Sequence, residues 1–246
     1  MPTRHTALIT GSNKNIGRAC ALALAKAGCN VVINGARDKA AADEVAAAAR
    51  AHGVEALVAM GDVGKRDECQ RICKEALAKF GTVDILVNNA AIRQDGKFLE
   101  ISEEDWRYAM AVNFDSAFWT ARACLPGMID KGWGRIINFA GMNAIHGYNG
   151  RAHVSASKHA AWGLTKALAK EFGPKGITTN IVSPGPIMGE RQDPKQAAHI
   201  ATMKNRVPVG RLGTPDEVAA AVALLASEQG AFINGQMIQV NGGAET

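Results

Sequence analysis

Short runs of β-branched and aliphatic residues alternate with longer segments whose apolar residues recur three and four apart, and this alternation repeats from Thr6 to Val240. Strands separated by helix-length connections are not joined as hairpins. They run parallel, and the connecting helices pack on both faces of one sheet. Thr6 to Thr10 reads as the first strand. Ile16, Ala19, Cys20, Ala23, Leu24 and Ala27 follow at helical spacing and stop at Gly28. Val31 to Ile33 reads as a strand before Asn34-Gly35, and an Ala-rich helix spans about Lys39 to Arg50. Ala56 to Met60, Val83 to Val87, Arg135 to Phe139, Ile177 to Val182 and Gln236 to Val240 are the remaining strands.

The intervening helices carry their own signals. Cys69, Ile72, Cys73, Ala76, Leu77 and Phe80 mark one face, ending at Gly81. Ser102 followed by Glu103, Glu104 and Asp105 opens a long helical stretch toward Pro126, with an acidic first turn against the positive helix end. A helix from about Ala152 to Phe172 stops at Gly173-Pro174. Thr214, Pro215, Asp216 and Glu217 supply an N-cap, a first-turn proline and a reciprocal glutamate for a helix to about Ser227. The stretch from Pro184 to Val209 is rich in Pro, Gly and polar residues, with one weak helical run from about Lys195 to Lys204, and reads as a lid over a ligand site. With 47% apolar residues and no linker, residues 1–246 read as a single α/β domain: a doubly wound parallel sheet of about seven strands.

Composition narrows the function classes. The net charge is +5, but Lys, Arg, Asp and Glu are interspersed without a basic run or interleaved aromatics, which argues against nucleic acid as a partner. No apolar run reaches membrane-spanning length and the opening residues do not form a signal peptide, so a cytoplasmic protein with no membrane partner is expected. Five cysteines are an odd set, and only Cys69 and Cys73 lie one helical turn apart. A metal or redox pair is one reading of them and small buried apolar residues the favoured one, so no metal site is expected.

The segment Thr10-Gly11-Ser12-Asn13-Lys14-Asn15-Ile16-Gly17 joins the first strand to the first helix, where free backbone N–H groups and the positive helix end suit a pyrophosphate. It resembles the T-G-x-x-x-G-x-G turn of the short-chain dehydrogenase/reductase family, with Asn15 in place of the middle glycine. Asn tolerates left-handed backbone angles, but its side chain would crowd the phosphates, so weakened cofactor binding is one expectation. The resemblance continues in Asp62-Val63, similar to the family's adenine contact, and in Asn88-Asn89-Ala90-Ala91, similar to its N-N-A-G. Asn113, Asn180, Pro184-Gly185 with Ile187, and Asn241-Gly242-Gly243 complete a match from about Thr6 to Gly243. The resemblance implies a Rossmann-like fold, a nicotinamide dinucleotide, and a cofactor site including Thr10, Gly11, Asn13, Ile16, Gly17, Asn88, Ala90 and Lys158. The second strand ends without an acidic residue for a ribose hydroxyl, whereas Lys14 and Arg37 suit a 2′-phosphate. NADP(H) is therefore expected ahead of NAD(H).

At the chemical end, the resemblance places the family's serine on Gly141, its tyrosine on Val154, its lysine on Lys158 and its relay asparagine on Asn113. Neither glycine nor valine can give or take a proton. Loss of a positioned proton donor typically costs ~10²–10⁴-fold in rate, and loss of an oxyanion-type hydrogen bond a further ~10²–10³-fold. Spacing four puts Val154 and Lys158 on one helix face, and Tyr148, ten residues before Lys158, does not restore that register. Gly189 stands where the family often has a threonine touching the nicotinamide. Asn143, His146, Tyr148, Arg151 and His153 supply polar side chains between Gly141 and Val154. His146 and Tyr148 are the candidates for replacement proton handling, while His153 should point off the Lys158 face. Arg93 and Arg151 suit a carboxylate or phosphate on a small anionic substrate.

Three functions follow as expectations. One is an NADP(H)-dependent oxidoreductase with a rebuilt site acting through Asn113, Lys158, His146 or Tyr148, with Arg93, Gly141, Asn143, Tyr148, Arg151 and Val154 lining the substrate pocket. Another is a non-catalytic subunit paired with an active relative. The third is a dinucleotide-binding sensor. The resemblance implies a homotetramer or homodimer, built by the helices after Ser102 and Ala152.

Overall fold

The computed structural model describes residues 4–142, 146–189 and 202–245. Seven parallel strands form one sheet: β1 (Thr6–Ile9), β2 (Asn30–Ile33), β3 (Ala56–Val58), β4 (Ile85–Asn88), β5 (Gly134–Phe139), β6 (Ile177–Pro184) and β7 (Met237–Val240). Their spatial order is β3-β2-β1-β4-β5-β6-β7, so the direction of winding reverses between β1 and β4. Each strand agrees with its apolar run to within two residues.

The helices are α1 (Asn15–Lys26), α2 (Lys39–Arg50), α3 (Arg66–Phe80), α4 (Glu103–Met110), α5 (Ser116–Lys131), α6 (Ala152–Phe172) and α7 (Pro215–Ala226). Alternation along the strands divides the core in two. Ala7, Ile9, Val31 and Ile33 face α1, α2 and α7, while Leu8, Val32 and Leu86 face α3 and α5. The capping box at Thr214 is present, with Glu217 answering the threonine.

Two features depart from the sequence reading. The helical stretch after Ser102 does not stop at Pro126 but continues to Lys131, ending at Gly132 in the left-handed conformation. Pro126 lies on the exposed face, where water can meet the carbonyl that lacks its amide partner, and Leu125 and Met128 keep the inner face buried. The same stretch is interrupted between α4 and α5 by a π-helical turn, Ala111–Asp115, which carries Asn113. Part of the expected lid helix, about residues 195–204, lies outside the described residues, as does Asn143. No described helix is long and apolar enough to cross a membrane.

All five cysteines are buried and unbridged, and no group of side chains suited to a metal ion occurs among the described residues. Burial pushes the Cys20 thiol up to about 12; burial and then the Asp84 charge push Cys29 up to about 11.

Candidate functional site

A cleft of about 530 Å³ opens over the carboxyl ends of β1, β2 and β4, at the point where the winding reverses. Its floor is the turn into α1. Gly11 has φ +62°, and Asn15, alone among the described non-glycine residues in the left-handed region, has φ +48°. A Cβ on Gly17 would stand 2.2 Å from the Gly11 carbonyl oxygen, so only glycine fits that close approach. The first turn of α1 has neither a side-chain cap nor an acidic residue. Its positive end is thus available to an anion.

Asn34 and Asn89 hold this floor in place. Asn34 accepts from the Gly11 amide at 3.1 Å and donates to the carbonyls of Ala59 (3.0 Å) and Gly61 (3.1 Å). Asn89 donates to the Thr10 and Gly11 carbonyls at 2.9 and 3.0 Å. The Thr10 hydroxyl accepts from the amides of Asn89 and Ala90, both at 3.0 Å. Neither asparagine was singled out as a site residue by the sequence. Asn34-Gly35 signals a turn, and the side-chain bonds appear only once three strand ends converge.

Asn13, Lys14, Asn15, Ile16, Arg37, Asp62, Val63, Ala90 and Ile187, all expected at the cofactor site, line the cleft. No carboxylate pairs with Lys14 or Arg37 among the described residues. The nearby Asp38 is engaged as the N-cap of α2, accepting from the Ala41 amide at 3.0 Å. Asp62 is held from three sides: its amide donates to Glu68 at 2.8 Å, and its carboxylate accepts from the Gly64 amide at 2.9 Å and the Tyr108 hydroxyl at 2.9 Å.

Asn88 lies outside the cleft lining, in a buried chain where Thr120 donates to Asn88, Asn88 to Asn138 and Asn138 to Thr165, at 2.8 to 2.9 Å. The alternation of β4 turns Asn88 inward and leaves Asn89 to meet the turn. Pro184 and Gly185 likewise belong to the junction with β7, where the Gly185 amide donates to Val240. A Cβ on Gly185 would come within 2.6 Å of Asn241.

Lys158 and Asn113 are buried at the chemical end. The Lys158 amine donates to the Phe139 carbonyl at 2.8 Å. Burial, and secondarily the charge of Arg93, push its pKa down to about 7. Asn113 accepts from the Ile92 amide at 2.8 Å and donates to the Ile92 carbonyl and the Ser157 hydroxyl, both at 3.1 Å. Val154 is buried one helical turn before Lys158. Gly141 has φ +133°, and a Cβ there would meet nothing within 4 Å.

His146 and Tyr148 are not brought to Lys158. His146 is half exposed and pairs with Glu245, while Tyr148 is half exposed with its ring under the Arg151 guanidinium at 4.8 Å. The chain has two tyrosines, and Tyr108 donates to Asp62; no phenol therefore accompanies Lys158. Arg151 is paired with Asp95, whereas Arg93 lines the cleft without a carboxylate partner among the described residues. Gly189 lines the cleft nearby. His153 is buried, and both ring nitrogens lack a hydrogen-bond partner.

A family profile described as enoyl-(acyl carrier protein) reductase matches residues 11–245. A 3-oxoacyl-[acyl-carrier-protein] reductase from Synechocystis is 38% identical over 98% of this chain and 97% of its own. A nodulation protein G from Azospirillum brasilense is 38% identical over 98% of each chain. The solved structure of an acetoin dehydrogenase from Salmonella typhimurium superposes with a TM-score of 0.90 at 32% identity, over 98% of this chain and 95% of that one.

Proposed function

The chain belongs to the short-chain dehydrogenase/reductase family, and from that premise we propose an NADP(H)-binding oxidoreductase with a non-standard site, acting on a small anionic carbonyl or hydroxy compound. The observation that carries the cofactor is the pair of cations, Lys14 and Arg37, lining the cleft with no carboxylate partner among the described residues, beside the uncapped start of α1. The close-fitting Gly17 leaves the backbone open to a pyrophosphate, and Lys14 and Arg37 would hold a 2′-phosphate. Asp62 and Val63 would frame the adenine.

When bound, the reduced cofactor supplies hydride to a carbonyl carbon. The carbonyl oxygen must then gain a proton, and with Val154 and Gly141 standing at the family's tyrosine and serine positions, Lys158 is the donor this reading assigns. An amine held near pKa 7 exchanges protons readily at neutral pH. Asn113 ties Ile92 to Ser157, the residue before Lys158. Arg93 would hold the substrate's anionic group. A homotetramer or homodimer in the cytoplasm is the setting this reading expects.

Titration with NADPH and NADH tests the cofactor. NADPH should bind at least ~10-fold tighter, the worth of one charge-assisted hydrogen bond, and Arg37→Ala should narrow the gap. Tighter binding of NADH would reject the assignment. A second reading, a non-catalytic subunit paired with an active relative or a dinucleotide sensor, is favoured by the lack of any phenol beside Lys158. Turnover by the pure homo-oligomer would remove it.

A further inference from the structure

Tyr108 stands on the last turn of α4 and lines the cleft at the end where Arg37, Asp62 and Val63 gather. Its hydroxyl donates to one carboxylate oxygen of Asp62 at 2.9 Å, while the Gly64 amide donates to the other at 2.9 Å. The carboxylate is thereby fixed about both oxygens, and each oxygen keeps a further lone pair for another donor. The ring is also part of the wall: a Cβ on Gly64 would meet it at 3.1 Å.

We propose that Tyr108 is a positioning residue for base recognition: by clamping Asp62 it makes the cleft selective for a purine that presents an amino group at position 6. The inference rests on the dinucleotide reading given above. A carboxylate locked in one orientation accepts from an exocyclic amine at no further ordering cost, and it repels a carbonyl oxygen at the same place. Without the phenol, Asp62 keeps the Gly64 bond but can rotate.

The test compares NADPH with its 6-oxo analogue, nicotinamide hypoxanthine dinucleotide phosphate, by fluorescence titration of the full-length protein and of Tyr108→Phe. Tyr108 is 39% exposed, and phenylalanine retains the ring, so the fold should survive; Asp62→Asn serves as an independent variant. The wild-type protein should prefer NADPH by ~10-fold or more. Tyr108→Phe should weaken NADPH several-fold while leaving the analogue nearly unchanged, so that the preference shrinks, and Asp62→Asn should abolish it. Equal losses for both dinucleotides, or unchanged selectivity in Tyr108→Phe, would overturn the role of Tyr108 while leaving the cofactor reading intact. Failure of the wild-type protein to bind either dinucleotide would overturn both.

Discussion

Replacing Lys158 by methionine removes an amine that is only 3% exposed and whose protein acceptor is the Phe139 carbonyl. Burial and the charge of Arg93 lower its pKa from 10.5 to about 7 in the folded chain. Between those values the unfolded chain holds a proton that the folded chain has released, so this group makes stability rise with pH across that window. At ~1.4 kcal/mol per pH unit, the buried ammonium costs the fold about 5 kcal/mol below pH 7, and the cost vanishes above pH 10.5. Methionine keeps most of the hydrocarbon packing but forfeits the bond to Phe139, a loss of ~1 kcal/mol. Lys158→Met should therefore exceed the wild type by about 4 kcal/mol at pH 6, and its advantage should shrink by ~1.4 kcal/mol per unit above about pH 7. Urea unfolding of both proteins without ligand at pH 6, 7, 8 and 9 measures this, and the difference between them cancels the other titrating groups. A gap that stays constant over that range would refute a desolvated amine, and with it the assignment of Lys158 as a proton donor near neutrality.

Val154→Tyr should raise carbonyl reductase activity ~10²-fold or more if the nicotinamide is posed as in the family; no gain despite measured NADPH binding would mean that the pocket serves another reaction. Adding Gly141→Ser should lower the unfolding free energy by ~1–3 kcal/mol, because φ there is +133°; an unchanged melting temperature would show that the loop relaxes. Asn15→Gly should tighten NADPH binding by removing a side chain from the phosphate turn, and weaker binding would instead make Asn15 a phosphate ligand. His153→Leu should stabilise the chain by ~1 kcal/mol or more, since a buried ring without hydrogen bonds is replaced by hydrocarbon; destabilisation would contradict an unpartnered ring.

The sheet was legible because strand and helix periods differ, and seven well-spaced alternations admit one layered arrangement. The phosphate turn was legible because Gly11, Asn15 and Gly17 signal backbone requirements that no side-chain contact can mimic. Asn88 and Asn89 were harder to separate: adjacent residues with the same side chain face opposite ways on a strand, and register alone decides which one reaches the cleft. The helix beyond Pro126 was missed because tolerance of proline depends on whether the freed carbonyl faces water. His146 and Tyr148 show a further limit. Their chemistry suits proton transfer, but Glu245 and Arg151, which draw them aside, are recognised as partners only through the fold.

Asn34 carries a practical consequence for anyone wishing to convert the coenzyme preference. The usual manoeuvre, an aspartate at the tip of β2, would substitute an acceptor for the amide nitrogen that serves Ala59 and Gly61, and those two carbonyls would then confront a negative charge. Such an exchange would loosen the very scaffold that presents the phosphate turn, so re-engineering is better directed at Ala36 and Arg37, which border the cleft without stitching its walls together.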